Sequence, residues 1–329
     1  MTSRVYIMRR TRDLEEISVN NSLSVVFSSF NGEKTLRTML DGFCRLHPPE
    51  ASWQLIAVDN ASTDSTRSIL DAYQDRLPLV IIEENKKGKN NALNKAIDYV
   101  VGDLVVFTDD DVVPNENWLI RLQASAKAHE DYDLFGGQIL PRWPVVPMPW
   151  LMSDLPLGML YAITDPRWET GEIDVGNIWG PNMAVRKKIF DMGLRFSTGV
   201  GPDGSETYMM GSEGDFTRRL GKMDMKAWFC RDAIVEHLIR PNQMTQEWVL
   251  NRFFRHGRSS YKYDHLRDSA TPRLFGVERW LYRKIVDSLV NIQYQRLRGD
   301  VNAVFKAKAA YYHLKGQLYQ AKREKAVSV

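Results

Sequence analysis

LVVFTDDDVVPN, residues 104–115, is the stretch of sequence that decides how the rest of the chain is interpreted. Its first five residues are largely apolar and β-branched, which is typical of a strand buried in a sheet. Three carboxylates, Asp109, Asp110 and Asp111, follow directly. Like charges at the end of a core strand are tolerated when a cation lies between them or when they face water. The stretch therefore indicates either a divalent metal site at the carboxyl end of a strand or a solvated acidic turn before a helix.

Short apolar runs alternate with helix-forming segments ahead of this stretch. Strands are predicted at residues 23–27, 53–58 and 79–82, and helices at residues 33–46, 65–73 and 92–101. This alternation predicts a parallel sheet covered by helices on both faces. Right-handed crossovers then place the loops after the strands along one edge of the sheet, where a single nucleotide can meet all of them.

The composition is that of a folded globular protein. The chain has 329 residues, of which 43% are hydrophobic and 26% are charged. Cys44 and Cys230 lie far apart without metal-ligand spacing, which favours a reducing compartment. No apolar run reaches membrane-spanning length, and the arginines near the N-terminus precede no apolar stretch of a signal peptide. We therefore expect a cytoplasmic location, with the inner face of the membrane as an open alternative.

Charge is distributed unevenly along the chain. From Pro241 onward there are 17 Lys and Arg against 7 Asp and Glu, a net charge of +10, whereas the whole chain carries +3. Residues 1–240 therefore carry −7, which is +3 less +10. Residues 274–322 look like two helices, and in the first of them Leu281, Ile285, Leu289 and Ile292 have near-helical spacing. This basic region could contact a membrane surface, form a homodimer or pack on the preceding domain.

Seven segments resemble family 2 glycosyltransferases with the GT-A fold. They are SSFN at 28–31, VDNASTD at 58–64, GKNNALNKA at 88–96, FTDDD at 107–111, GPNMAVRK at 180–187, GSEGDFTRRL at 211–220 and AIVEH at 233–237. The resemblance implies an α/β fold with a mixed, mainly parallel nucleotide-binding sheet flanked by helices. It divides the chain into an N-terminal extension at 1–21, a GT-A domain at 22–260 and a C-terminal helical region at 261–329.

The same resemblance implies an activity. A sugar would move from a nucleoside diphosphate sugar to a hydroxyl of a carbohydrate or lipid-linked acceptor, with inversion, in polysaccharide or glycoconjugate synthesis. Nucleic acid is not an expected partner. Mn²⁺ or Mg²⁺ is the expected cofactor, because hard oxygen ligands suit both ions. The metal ligands implied are Asp109, Asp111 and His237; an imidazole ligand would favour Mn²⁺.

Further roles follow from the matching positions. Nucleotide contacts are implied for Ser28, Phe30, Asn31, Asp59, Lys89, Asp109 and Asp110, sugar contacts for Trp179, Gly180 and Asn182, and diphosphate contacts for Arg252, Arg255 and Arg258. A carboxylate must take the proton of the acceptor hydroxyl, and Glu213 and Asp215 are its candidates. The family has adjacent Glu-Asp here, whereas Gly214 separates the two acids in this chain. Aligning Phe216 and Leu220 with the family's helix favours Glu213.

One segment and two rival functions complete the predictions. Residues 141–174 are rich in Pro and Trp and read as an excursion near the acceptor, where aromatic rings can stack on sugars or contact a lipid carrier. A nucleotidyltransferase would share the sheet and the carboxylates, but residues 28–32 lack its glycine- and lysine-rich phosphate loop. A catalytically inactive sugar-nucleotide binding module is the other rival, and it predicts that Glu213 is unimportant.

Overall fold

The computed structural model describes residues 22–263 and 272–327 of the chain. The predicted N-terminal extension at 1–21 lies outside the described residues. The strands are β1 (Leu23–Ser29), β2 (Trp53–Asp59), β3 (Leu79–Glu83), β4 (Leu104–Phe107), β5 (Val112–Pro114), β6 (Leu134–Arg142), β7 (Gly171–Ile173), β8 (Met183–Arg186), β9 (Ala227–Leu238), β10 (Arg273–Leu274) and β11 (Val277–Glu278).

Helices connect and cover these strands. They are α1 (Leu36–Phe43), α2 (Thr66–Asp71), α3 (Lys89–Ile97), α4 (Trp118–Ala128), α5 (Leu157–Tyr161), α6 (Lys188–Asp191), α7 (Ser212–Gly221), α8 (Gln246–Tyr263), α9 (Arg279–Leu297) and α10 (Val301–Val327). Short 3₁₀ turns occur at Val175–Asn177, Gly180–Asn182 and Pro241–Met244. Within the described ranges, every helix is too short or too polar to cross a membrane.

Nine of the described strands form one mixed sheet. Its order is β3-β2-β1-β4-β8-β6-β9-β5, with β7 paired to β9. The four strands β3, β2, β1 and β4 are parallel, and β8 joins them antiparallel. Strand β1 is buried on both faces: Val25 and Phe27 contact one hydrophobic core, and Val26 contacts the other. The sequence prediction of a mixed, mainly parallel sheet between helices is confirmed.

Strand pairing brings distant loops to one edge of this sheet. Ser29 at the end of β1 pairs with Asp59 at the end of β2. After β4 the chain turns through the three aspartates into β5, where Val112 pairs with His237 of β9. Thr108 in this turn donates a hydrogen bond of 3.1 Å to the carbonyl of Pro181. The aspartates predicted from the sequence therefore lie between the β1–β2 loops and the end of β9.

The C-terminal helices pack against α8. Helices α8 and α10 cross so closely that a side chain at Gly316 would collide with the backbone oxygen of Phe254. A side chain at Gly257 would collide with the backbone of His313 in the same way. The domain boundary predicted near residue 260 falls inside α8. One continuous helix thus joins the sheet domain to the C-terminal region.

Candidate active site

Two adjoining cavities open at the edge where the parallel strands end. The first has a volume of about 290 Å³ and is lined by the loops after β1, β2, β3 and β4. The second has a volume of about 310 Å³ and extends toward α5, α7 and α8. Residues common to both linings are Lys89, Asp109, Asp111, Pro202, Tyr208 and Arg240. The aspartates of residues 109–111 therefore lie at the junction of the two cavities.

Lys89 joins the aspartate turn to α7. Its ammonium lies 2.6 Å from Asp109 Oδ1 and 2.6 Å from Glu213 Oε1. Burial would lower the pKa of Lys89, but the two carboxylates raise it above its ordinary value. Burial raises the pKa of Glu213, and the charge and hydrogen bond of Lys89 more than offset this, so the net pKa is lowered. Glu213 is therefore ionised at neutral pH and able to accept a proton.

Asp109 experiences the opposite balance of the same interactions. Burial raises its pKa above the ordinary value, and the neighbouring charges of Glu213 and Asp111 raise it further, although Lys89 acts to lower it. Asp109 thus shares the Lys89 ammonium with Glu213 and lies near the negative charge of Asp111. A further cation near Asp111 would relieve the repulsion that remains.

Asp111 lies opposite the imidazole of His237. Asp111 Oδ1 is 3.4 Å from His237 Nε2, and Arg240 approaches Oδ2 at 3.7 Å. Burial raises the pKa of Asp111, but the charge and hydrogen bond of His237 lower it more, to about 2. His237 Nδ1 lies 2.6 Å from the carbonyl of Tyr161, which accepts a hydrogen bond from it. That hydrogen bond fixes the imidazole with Nε2 directed at Asp111, where Nε2 donates to the carboxylate when it is protonated and is the nitrogen that a metal ion would bind when it is not.

The donor set suits a divalent cation that a substrate also binds. Among residues 22–263 and 272–327, no group of three or more His, Cys, Asp or Glu side chains is arranged to hold a metal ion. Mg²⁺ and related ions are commonly bound by one or two carboxylates together with substrate phosphates. Asp111 offers an oxygen, and His237 offers a nitrogen whose orientation is fixed by a backbone carbonyl, as in many metal sites. Asp109, the other predicted ligand, is bound to Lys89.

Asp110 faces the first cavity rather than the second. It accepts a hydrogen bond from the hydroxyl of Ser29 at the end of β1. Burial and the neighbouring charge of Asp111 raise its pKa to about 7. Asp110 is therefore a carboxyl whose charge changes near neutral pH, and it lies on the side where nucleotide contacts are predicted.

Of the other residues predicted to contact the nucleotide, some line the first cavity and some do not. Ser28 and Phe30 line the first cavity, and Lys87 lies over the Phe30 ring, 4.9 Å from its centroid. Asn31 and Asp59 are outside that lining. Asn31 Oδ1 accepts a 2.8 Å hydrogen bond from the backbone of Thr63, and Asp59 Oδ1 accepts one of 3.1 Å from Ser62. These two side chains hold the loops that surround the first cavity.

The two predicted base candidates point in different directions. Glu213 lines the second cavity. Asp215 lies outside both linings: it accepts a 2.5 Å hydrogen bond from Ser197 and lies 3.3 Å from Arg219. Residues two apart on a helix are rotated by about 200°, so both acids cannot face one cavity. Asp215 therefore has the surroundings of a structural ion pair.

The predicted sugar loop also contains side chains with structural surroundings. Asn182 is buried, accepts a hydrogen bond from Trp118 Nε1 at 2.8 Å and donates one to the carbonyl of Ala233 at 2.8 Å. Trp179 packs against the hydrophobic core, with its ring edge-on to Trp168. Any side chain at Gly180 would collide with the Glu213 carboxylate. The contribution of this loop is thus to leave room for Glu213.

Two of the three α8 arginines predicted to bind the diphosphate line a cavity, and the third does not. Arg252 and Arg255 line the second cavity and donate hydrogen bonds to the hydroxyl of Tyr208 at 3.0 and 3.4 Å. Arg258 is outside this lining. It is buried and donates two hydrogen bonds, of 3.1 and 2.9 Å, to Gln320 of α10. The position of Arg258 does not fit the predicted diphosphate contact.

Several cavity residues were not predicted from the sequence. They are Asn60, Lys87, Tyr161, Tyr208, Arg240 and Trp248. Asn60 fixes the loop after β3, because its amide donates to the carbonyls of Glu84 and Lys86 at 2.9 and 2.8 Å. Arg240 follows His237 by three residues, and a basic residue just beyond a strand end is a signal that could have identified it. Tyr208 lies in a glycine-rich loop that carried no recognisable motif.

Comparisons with known proteins agree with this geometry. The model of glycosyl transferase family 2 matches residues 24–193. The succinoglycan biosynthesis protein ExoM of Rhizobium meliloti (strain 1021) is 26% identical over 215 residues, which are 64% of this chain and 65% of that protein. The poly(ribitol-phosphate) β-N-acetylglucosaminyltransferase TarS of Staphylococcus aureus (strain Mu50) is 30% identical over 108 residues, 32% of this chain and 19% of TarS. The matches span less than two thirds of either relative.

Two solved structures have a similar fold. The crystal structure of S. aureus TarS 1–349 in complex with UDP superimposes with a TM-score of 0.52 at 16% identity, over 92% of each chain. The mannosyltransferase PcManGT from Pyrobaculum calidifontis, in complex with GDP-Man and Mn²⁺, gives a TM-score of 0.53 at 19% identity. That superposition covers 93% of this chain and 74% of PcManGT. At these identities the likeness establishes the fold.

Proposed function

The chain belongs to glycosyl transferase family 2, and from that premise we propose that it transfers a sugar from a nucleoside diphosphate sugar to an acceptor hydroxyl, with inversion. The proposed acceptor is a carbohydrate or a lipid-linked acceptor, and the proposed setting is polysaccharide or glycoconjugate synthesis. The name of the relative ExoM, a succinoglycan biosynthesis protein, supports that setting. The cytoplasmic location expected from the sequence stays a prediction.

The proposed donor is supported by the ligands of similar structures. TarS has been crystallised with UDP and with UDP-GlcNAc, and PcManGT with GDP-Man and Mn²⁺. In this chain the first cavity would take the nucleoside, between the Phe30 ring and the Asn60 loop. The second cavity would take the sugar and the acceptor. The diphosphate would lie at their junction, within reach of Lys89, Arg240 and the arginines of α8.

Glu213 is the proposed catalytic base. Its ionised carboxylate would take the proton of the acceptor hydroxyl as that oxygen bonds to the anomeric carbon. The bond between the anomeric carbon and the diphosphate oxygen breaks, and the electron pair leaves with the nucleoside diphosphate. One displacement on the face opposite to the leaving group inverts the anomeric centre, so a single base suffices.

Cationic side chains would stabilise the leaving group. Arg252 and Arg255 lie side by side in the second cavity, and guanidinium groups bind phosphate oxygens through paired hydrogen bonds. Asp111 and His237 would hold a divalent cation, Mn²⁺ or Mg²⁺, which when bound neutralises charge on the diphosphate. Lys89 lies at the same junction, and its ammonium would add positive charge there.

One observation carries this proposal: a single lysine bridges Asp109 and Glu213. The nucleotide carboxylate and the base are 104 residues apart in sequence, and each is 2.6 Å from the same ammonium. A donor bound by the aspartate turn would therefore have its sugar beside Glu213. An inactive binding module would have no need for a half-buried carboxylate at that position.

A paired substitution tests the assignment of the base. We expect Glu213→Gln to lower kcat for transfer by about 10² to 10⁴-fold, because general base catalysis contributes about that much. Donor affinity should change little, since glutamine preserves the shape of the side chain. Asp215→Asn is the matched comparison on the same helix: it should lower thermal stability by weakening the contacts with Ser197 and Arg219. Its kcat should stay within a few-fold of the unmodified chain.

The assay should measure both transfer to a sugar acceptor and slow hydrolysis of the donor. Equal kcat for the unmodified chain and Glu213→Gln would remove the base assignment. Donor binding without transfer or hydrolysis by the unmodified chain would favour the inactive binding module. A loss of kcat confined to Asp215→Asn, with stability unchanged, would assign the base to the other carboxylate. Release of pyrophosphate from a nucleoside triphosphate incubated with a sugar phosphate, without transfer from the nucleoside diphosphate sugar, would indicate a nucleotidyltransferase.

A further inference from the structure

Helix α9 exposes a row of apolar side chains. Helices α9 and α10 form a helical hairpin, and we call this row the hairpin surface. It consists of Val286, Leu289, Val290, Tyr294 and Leu297, with Val301 at the start of α10. Leu297 is 89% exposed. The opposite face of α9 packs on α10, where buried Leu281 contacts the cluster that includes Leu314 and Leu318. One face of α9 thus holds the helix on the protein and the other faces outward.

A second exposed apolar segment lies near the end of this helical hairpin. We call it the loop surface: Val145, Val146, Met148 and Met152, in the proline-rich stretch after β6. The loop is attached to the first turns of α10, because the rings of Trp150 and Phe305 are 4.8 Å apart and Lys306 lies 3.1 Å from Asp154. Val301 is one helical turn before Phe305. The loop surface and the tip of the hairpin surface are therefore neighbours.

The apolar row is surrounded by positive charge. Between residues 279 and 301, exposed basic side chains outnumber exposed acidic ones by five to two. The basic residues are Arg279, Arg283, Lys284, Arg296 and Arg298, and the acidic residues are Asp287 and Asp300. The whole segment from Pro241 onward carries +10. Apolar side chains bordered by arginine and lysine are typical of a helix that lies in the plane of a membrane interface. The partner should therefore offer both an apolar layer and negative charge.

A second copy of the chain fits these charges poorly. A symmetric pair places the same surface against itself, so the arginines of one α9 would meet those of the other. Repulsion between like charges across an interface opposes that arrangement. A membrane-spanning role is also unsupported by the helices of the described residues.

We propose that the hairpin surface and the loop surface together bind the interface of a lipid bilayer that contains acidic lipids. Val290, Leu297 and Val146 would enter the boundary between headgroups and acyl chains, and Arg279 and Arg283 would lie among the phosphates. This binding is independent of the proposed sugar transfer, because all the residues involved lie outside both cavities. It would hold the enzyme beside any acceptor that is anchored in the same membrane.

The test is co-sedimentation of the full chain with vesicles. We expect binding to vesicles of phosphatidylcholine with phosphatidylglycerol and much weaker binding to phosphatidylcholine alone. Val290→Asp combined with Leu297→Asp should lower the partition coefficient by about tenfold or more, because two charges replace inserted apolar groups. The control is Val101→Asp, since Val101 is 68% exposed, close to the 64% of Val290, and lies in the connection between α3 and β4, outside the proposed surfaces. The control should bind like the unmodified chain.

Charge reversal and oligomeric state complete the test. Arg279→Glu with Arg283→Glu should abolish the preference for phosphatidylglycerol, since basic residues near an acidic membrane are attracted to its negative surface and acidic ones are repelled. Circular dichroism checks that each variant is folded. Recovery of the unmodified chain in the supernatant, or equal binding by Val290→Asp/Leu297→Asp, would overturn the proposal. A dimer in sedimentation equilibrium that this double variant dissociates would also overturn it, because a second copy would then cover the surface.

Discussion

The two adjoining cavities, together called the cleft, and the α9–α10 hairpin both depart from the usual pattern of buried apolar and exposed charged side chains. In the cleft, charged groups are buried: Asp111 is 8% exposed and lies between His237 and Arg240. On the hairpin, apolar groups are exposed, with Leu297 at 89%. Both arrangements cost free energy in the isolated chain, and a partner can offset each of them. The difference indicates a small, charged ligand for the cleft and an extended apolar partner for the hairpin.

Helix α8 connects these two regions. Its Arg252 and Arg255 line the second cavity, and its Arg258 is buried against α10. Some residues of α8 contact the cleft and others contact the hairpin. Substitutions in this one helix can therefore change ligand binding in the cleft and packing of the hairpin independently. The predictions that follow use this separation.

The largest expected effect is on binding in the cleft. Asp111→Asn removes the carboxylate charge opposite His237, and we expect donor affinity in the presence of Mn²⁺ to fall by about 100-fold or more. At a donor concentration of 100 times the original Kd, the ligand-induced gain in unfolding free energy should drop from about 2.7 to about 0.4 kcal/mol. Thermal-shift titration with nucleoside diphosphate sugars measures this. Asp191→Asn, which breaks a surface ion pair with Lys187, is the control; equal losses in both variants would contradict the cation site.

A smaller effect is expected from the two arginines of α8 that differ in their contacts. Arg255→Met should weaken donor binding by about tenfold to 100-fold, because a hydrogen bond to a charged group contributes about 1.5–3 kcal/mol. Its effect on stability should be small. Arg258→Met should leave KM for the donor unchanged and lower the free energy of unfolding by about 1–3 kcal/mol, since buried Gln320 loses its donor. Calorimetry and steady-state kinetics on both variants decide, and an affinity loss in Arg258→Met would show that α10 also shapes the cleft.

The smallest expected effect is a pH dependence at Asp110. Its pKa of about 7 lies above the unfolded value, so its contribution to stability is present at low pH and is lost as pH rises toward and through 7. Asp110→Asn removes the charge and keeps an acceptor for Ser29. We expect the variant to melt a few degrees higher than the unmodified chain at pH 8 and by a smaller margin at pH 5, because the loss begins near the unfolded pKa of about 3.9 and is complete only above 7. An equal difference at both pH values would contradict the raised pKa.

The sequence predicted the framework of the cleft well, because strand ends are easy to locate. An apolar run that stops at Asp109, or at Asp59, marks both the strand and the edge of the sheet. Glu213 could be identified as a cavity residue because the family resemblance aligned its helix. The GT-A fold and the family were confirmed by the comparisons.

Side-chain direction was harder to predict. Sequence spacing did not reveal which face of α7 or α8 would line the cavity. This applies to Glu213 and Asp215 on α7 and to Arg252, Arg255 and Arg258 on α8. At 100° per residue, Arg258 is rotated by about 240° from Arg252 and points to α10. Asn182 was predicted as a sugar contact, yet its amide is bonded within the fold. Tyr208 and Trp248 come to the cleft through tertiary packing, which no local pattern records.

The central claim is that Asp111 and His237 bind a cation together with the diphosphate of the donor, beside the base Glu213. The most direct measurement is anomalous X-ray scattering from crystals grown with Mn²⁺ and a nucleoside diphosphate. We predict one strong manganese peak within bonding distance of the Asp111 carboxylate, His237 Nε2 and the diphosphate oxygens. A nucleotide bound in the first cavity without manganese at Asp111, or with manganese elsewhere, would contradict the account.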